Sequence, residues 1–208
     1  QQPLRFGIDH YLSDNSRFTG DIDRIRIFNR ALSAEEIAAG AAGRPGDAKG
    51  LVGDWTFDDP PKAGAFPNVA GGGLAAKLNS FDPKGGPAHL REGDRGFVRF
   101  GGQGYLEVAP DPRLDMTKHC TVEAWVRNPS GTIANKMIVW MWGFLFVAHP
   151  NGLCMEGLRG GVNGAPLNSA YSFSKDTWTH VAAVFDVNSH LLLYADGKLI
   201  GEKKLNVL

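Results

Sequence analysis

Residues 24–40 read RIRIFNRALSAEEIAAG, and they carry the decision about the fold. Ile25 and Ile27 alternate with Arg24 and Arg26, the period of a strand with one buried face; the run is placed at a sheet edge. Asn29 and Arg30 make a polar corner. A helix is expected from Ala34 to about Ala39: Ser33 and Glu36 have capping-box spacing, and Gly40 suits a left-handed C-cap. Strand, corner and short capped helix together read as the end of a domain. The next stretch, GAAGRPGDAKG, holds four glycines and one proline in eleven residues and has no periodicity, which makes residues 41–50 a linker. LVGDWTF (51–57) then reads as an opening strand. An ending therefore stands before a beginning.

Working outward, period-two alternation dominates the rest of the chain. In TVEAWVR (121–127), Val122, Ala124 and Val126 point one way, while Thr121, Glu123, Trp125 and Arg127 point the other. FVRF (97–100) and YLEV (105–108) flank a glycine-rich turn and read as adjoining strands. WGFLFVAHPNGLCMEGLRG (142–160) reads as a hairpin turning at Pro150-Asn151-Gly152. TWTHVAAVFDV and HLLLYADGKLIGE are strands joined at Asn188-Ser189, and the second turns again at Asp196-Gly197. Many antiparallel strands, one helix and frequent turns predict an all-β, two-sheet antiparallel sandwich of the jelly-roll kind.

The chain of 208 residues suits one such domain. Lys plus Arg number 22 and Asp plus Glu number 22, so no net charge draws the protein to phosphate backbones or acidic lipid. Neither nucleic acid nor membrane is expected as a partner. Cys120 and Cys154 are too few for a disulfide framework or a zinc site; buried thiols are expected, with a Cys120–Cys154 disulfide left open.

Several phrases together resemble the laminin-G-like domains of the concanavalin A-like lectin/glucanase fold. LVGDWTFDD resembles that family's first strand, followed in family order by FVRFGGQGYLEV, TVEAWVR, WTHVAAVFD and LLLYADGKLIG. The family's closing phrase resembles PLRFGIDHYLSDNSRFTGDIDRIRIFNRALSAEEI, which here comes first. The resemblance implies one sandwich over residues 1–208: the family's C-terminal strands and helix at 1–40, the linker at 41–50 and the remaining strands at 51–208. Circular permutation is the favoured account; the alternative is the end of one tandem copy followed by the start of the next.

Catalytic patterns were sought in the residues. The glucanases of this fold place Glu-x-Asp-x-x-Glu along one strand so that acid and nucleophile flank the scissile bond. TVEAWVR holds only Glu123. No Gly-x-Ser-x-Gly, His-Glu-x-x-His or phosphate loop occurs, so no enzyme is expected. Binding is the stronger expectation. Trp140 and Trp142 are placed near the rim, with Phe144 and Phe146 in the core and Trp55 and Trp178 buried. Trp125, on the face shared by Glu123 and Arg127, is placed away from the core on the concave sheet, and Glu123 and Arg127 join the candidate sugar contacts. His149, Arg159 and Tyr171 supply candidate hydrogen bonds to a sugar. His180 is read as structural. The resemblance further implies a structural calcium, with Asp23, Asp58 and Asn68 as ligands; oxygen donors suit that ion, and an arginine partner for Asp23 is the other account. The expected protein is a non-catalytic, secreted or cell-surface carbohydrate-binding module. It resembles accessory domains of bacterial polysaccharide-degrading proteins, and a monomer or one part of a multidomain chain is expected. An adhesion or protein–protein module is the alternative, and an unrecognised glycan hydrolase or lyase the third.

Overall fold

The computed structural model describes residues 2–44, 47–83, 85–116, 118–129, 136–141, 144–149, 152–157 and 166–205. In chain order the elements are β1 (Leu4–Phe6), β2 (Thr19–Phe28), α1 (Ala34–Ala41), β3 (Leu51–Trp55), β4 (Ala65–Phe66), β5 (Ala76–Ser80), β6 (Ala88–Glu92), β7 (Arg95–Gly101) and β8 (Gly104–Val108). They continue with β9 (His119–Arg127), β10 (Lys136–Met141), β11 (Phe144–His149), β12 (Gly152–Gly157), β13 (Leu167–Asn168), β14 (Thr179–Asp186), β15 (His190–Ala195) and β16 (Lys198–Lys204). Two short 3-10 turns complete the set.

The strands form two antiparallel sheets. Sheet A runs β13-β12-β11-β10-β1-β8-β5-β4, and sheet B runs β16-β15-β14-β9-β2-β7-β6, with β3 also on β2. The expected all-β sandwich with one short helix is what the chain forms. Between the sheets lies one continuous core that includes Phe6, Ile22, Trp55, Phe100, Leu106, Val122, Phe146 and Phe185. Trp55 is fully buried and donates its indole N–H to the Leu74 carbonyl at 2.8 Å, so the ring's one polar atom is satisfied.

The two N-terminal strands occupy the middle of both sheets. β1 lies between β10 and β8, pairing Phe6 with Val139 on one side and Leu106 on the other. β2 lies between β9 and a second side divided by a bulge at Arg24: Thr19–Ile22 pair with β7, and Ile25–Phe28 pair with β3. The edge position expected for this strand is therefore corrected. Ile22, Ile25 and Ile27 are fully buried, which an edge strand seldom allows. This strand pairs with β3 of the same chain, Ile25 facing Trp55.

Other turns sharpen the sequence reading. β7 and β8 were expected to adjoin, but they belong to different sheets, and the 101–104 turn is a corner between layers. β11 and β12 form the expected hairpin, and Asp196 and Gly197 both take positive φ (47° and 75°), the requirement of a tight hairpin turn. The capping box is present: the Glu36 N–H donates to Ser33 Oγ at 3.3 Å and the Ser33 N–H to Glu36 Oε2 at 2.8 Å. Gly40 does not end the helix; the left-handed residue is Gly43, φ +69°. Helix α1 lies on the outer face of sheet B, burying Ile37 and Leu32 against Phe28, Ala182, Val184 and Tyr194. Thr121 fastens the corner before it, donating to the Arg30 carbonyl at 2.9 Å and accepting from the Leu32 N–H at 3.0 Å. Cys120 and Cys154 are free and buried, so the two thiols are not bonded to each other.

Candidate functional site

The sandwich separates residues that the sequence reading had gathered into one site. Trp140 and His149 lie on strands of sheet A, whereas Glu123, Trp125 and Arg127 lie on β9 of sheet B. All five point outward, away from the shared core, so they look out from opposite sides of the molecule.

On sheet B the outward side chains satisfy one another. Asp21 is fully buried and receives both Arg99, at 2.7 and 2.9 Å, and Arg127, at 2.7 and 2.9 Å. Arg127 also binds Glu92 through two nitrogens, and those bonds hold its guanidinium proton well above the ordinary range. Its cation lies over the rings of Phe97 and Trp178, 5.0 and 4.7 Å from their centres. Asp21 and Glu92 take four of its five N–H groups and the side chain is buried, so Arg127 is not presented to a sugar, which corrects that expectation. Glu123, only 2% exposed, lies beneath α1 with Arg26 Nη2 at 2.8 Å and His180 Nε2 at 3.3 Å. These approaches lack hydrogen-bond geometry, and Glu123 too is closed to a ligand. His180 is buried, as its structural reading requires, and Trp178 is only partly so.

Trp140 is corrected as well. It is 3% exposed, and its ring is covered by His10 in a stacked arrangement, 4.9 Å between centres at 21°. Phe144 and Phe146 are in the core as expected. His149 is half-buried at the end of β11, and burial lowers its pKa. Tyr171 packs edge-on against Phe173 and interacts with Thr179 and Asp196, far along the chain from the others. Trp142 and Arg159 lie outside the described residues.

The outward face of sheet A offers a surface that the sequence reading passed over. Across adjacent strands the register sets Lys77 beside Glu107, Glu107 beside Arg5 and Arg5 beside Trp140. Arg5 Nε donates to Glu107 Oε2 at 2.8 Å, its Nη1 donates to the His10 carbonyl at 3.0 Å, and its guanidinium stands over the Tyr105 ring. Tyr105 packs on Phe81, with ring centres 5.4 Å apart, and Arg17 lies over the far side of Phe81. Tyr11, 77% exposed, leans on His10. Beside Lys77 and Glu107 a cavity of about 350 Å³ opens toward Gly73, Pro110, Asp111 and Arg113. Aromatic faces beside an ion pair and an open hollow can stack on C–H surfaces and exchange hydrogen bonds with hydroxyls. The signal was present in YLEV: Tyr105 and Glu107 share the parity opposite to buried Leu106 and Val108. Tyr11 and Phe81 lie in turns, where alternation says nothing.

The three residues considered for calcium have other engagements. The Asn68 amide is used up by backbone: it accepts from the Asp54 and Ala70 N–H groups at 2.8 and 3.0 Å and donates to the Val52 and Gly71 carbonyls at 3.0 and 2.8 Å. Asp23 is paired with Arg95 at 2.9 Å. Asp58 shares a cavity of about 210 Å³ with Asp23, but Arg24 and Arg95 line it too. Among the described residues, no group of three or more His, Cys, Asp or Glu side chains converges as metal ligands would. This set does not fit a calcium ion, which needs six to eight oxygens.

A family model described as the concanavalin A-like lectin/glucanases superfamily matches residues 100–207. The chain belongs to that superfamily. The match runs from Phe100 in β7 through β16, and β1 to β6 lie outside it. A search of curated proteins returned no match. Two similar solved structures are the binding domain of botulinum neurotoxin DC in complex with SialylT (17% identity, TM-score 0.43) and the binding domain of the same toxin in complex with rat synaptotagmin II (16%, TM-score 0.45). Each alignment covers 70% of this chain and 38% of the other, so the chain spans well under half of those proteins.

Proposed function

We propose that this superfamily member is a non-catalytic carbohydrate-binding module, an accessory domain of a secreted or surface protein that engages polysaccharide through the outward face of sheet A. The observation that carries the reading is the tract of Tyr105, Phe81 and Tyr11 set against the Arg5–Glu107 pair. Rings give a pyranose an apolar surface, and the ion pair gives its hydroxyls a donor and an acceptor. A protein partner would call for a contiguous dry apolar patch. Here the rings are interleaved with the charged side chains of Arg5, Arg17 and Glu107, so the tract is not such a patch.

The test is binding to a panel of polysaccharides and their oligosaccharides. Open polar sites give up well-solvated hydroxyls for little net energy, so a Kd on the order of 10 µM to 1 mM, about 4–7 kcal/mol, is expected. Tyr105→Ala should weaken binding at least tenfold while lowering stability by less than about 1.5 kcal/mol, the range of a partly exposed side chain. Undiminished binding in both Tyr105→Ala and Phe81→Ala would remove the reading. A catalytic alternative has one observation in its favour: two carboxyls, Asp23 and Asp58, line a single cavity. Release of reducing ends from the bound oligosaccharides, abolished in Asp58→Asn, would establish it.

A further inference from the structure

The cavity of about 210 Å³ on the outer side of sheet B is built differently from the tract on sheet A. Its wall is the partly exposed indole of Trp125, which faces Asp23 across the β9–β2 register. The bulge at Arg24, whose φ is 21°, breaks that register and lets Asp23 and the bulge residue both border the hollow. Thr56 and Asp58, from the chain following β3, close the other side. The polar groups are mixed in kind: carboxylates that accept, guanidiniums that donate and a hydroxyl that does both.

Their charges decide which ligand suits them. Arg24 is consumed by Asp54 in a two-point bond of 2.9 and 2.7 Å. Arg95 is held by Asp23 and lies between the rings of Trp125 and Trp178, 5.2 and 4.7 Å from their centres. Both cations are thus neutralised within the protein, and among the described residues no ion pair engages the Asp58 carboxylate. With two carboxylates and two guanidiniums in the lining, and Arg91 donating to the Asp58 carbonyl at 3.1 Å, the hollow carries no net charge to attract an acidic sugar. A neutral hexose would meet the part of the Trp125 indole that Arg95 and His180 leave open, and acceptors for its hydroxyls. The volume lies below the range of drug-sized pockets, which run from roughly 300 to 1,000 Å³, and limits the occupant to a single sugar residue.

We infer that this cavity is a second carbohydrate site, specific for one neutral hexose residue, and that the module bridges two glycan chains from opposite faces of its sandwich. The inference rests on the carbohydrate-binding reading of sheet A. The tract there accepts a stretch of chain and the smaller hollow a single unit, so a multivalent polysaccharide gains avidity from both.

The 208-residue chain is titrated calorimetrically with methyl glycosides of glucose, galactose and mannose, with the matching uronic acids, and with the oligosaccharide that binds sheet A. Two sites per chain are expected for the oligosaccharide, one removed by Tyr105→Ala and the other by Asp58→Asn. Asp58 is exposed, so its variant keeps the fold, which circular dichroism verifies; Trp125→Ala should reproduce the loss. The cavity should bind a hexose at least tenfold more tightly than its uronic acid, and the wild-type chain alone should precipitate soluble polysaccharide. A single site that Asp58→Asn leaves intact, or a preference for the uronic acids, would overturn the second site while sparing the first. No binding by any sugar would overturn both.

Discussion

Asp23 is held between opposing influences. Burial raises its pKa from 3.8 to about 6, and Arg95 at 2.9 Å pulls the other way without cancelling that cost. The folded carboxyl keeps its proton up to about pH 6, whereas the unfolded chain releases it near 3.8. Folding is therefore favoured by this group below the lower value, and the benefit is lost as the pH rises through the upper one. The difference amounts to about 3 kcal/mol between the two ends of the window. Melting temperatures measured from pH 4 to 7 should fall more steeply with pH in the wild type than in Asp23→Asn, whose side chain does not titrate; equal slopes would show that Arg95 compensates the burial fully. The need for a partner at Asp23 was legible in DIDRIRIF, because a carboxylate inside an apolar strand cannot remain bare. The identity of the partner was not, since Arg95 arrives from β7, far away in sequence.

At the scale of elements, the helix shows how a correct local signal can carry a wrong assignment. Ser33 and Glu36 make the capping box that their spacing predicts, and Glu36, bound by Arg30, has its pKa lowered to about 2. Gly40, which looks like a terminator, is a spacer: a Cβ there would come within 2.5 Å of Arg26 Nη2 and 2.8 Å of Glu123 Oε1. Those atoms belong to a buried pair, whose approach at 2.8 Å the added carbon would disturb. Gly40→Ala should accordingly destabilise the protein, overpacking costing about 1–3 kcal/mol against a helix-propensity gain of about 1. Urea unfolding gives the measurement, and a rise in stability would mean that α1 shifts freely over sheet B. Sequence pattern sees the glycine but not the pair beneath it, because the three residues come from α1, β2 and β9. Parity served better within strands, where it separated Trp125 from Val122 and Val126 correctly. It failed for Trp140, whose outward face is roofed by His10 from a loop.

For the whole molecule, strand order is the testable matter. The family phrases in the sequence were enough to predict a sandwich and to raise the expectation that the closing strands come first. They could not place those strands in the middle of each sheet, since depth within a sheet depends on partners more than a hundred residues away. Arg127 and Asp21, for example, are bonded across 106 residues. If the order is a circular permutation, a chain rearranged as 51–208, a short flexible linker and then 1–40 should fold to the same circular dichroism spectrum and melt within a few degrees of the original. A rearranged chain that fails to fold would tie residues 1–40 to their present position and remove the permutation account.

The central place of β1 and β2 also governs the timing of assembly. During synthesis these strands leave the ribosome ahead of every strand they will pair with, and β1 has no neighbour on either side until β8 and β10 exist. Ile22, Ile25 and Ile27 must remain unsheltered in water over that interval. Closure then brings together distant segments in both sheets within one event, the kind of non-local search that slows folding to milliseconds or seconds. A nascent chain of this design is aggregation-prone until β8 and β10 have emerged, and β3 is the first arrival that can begin to shield β2, along one edge only.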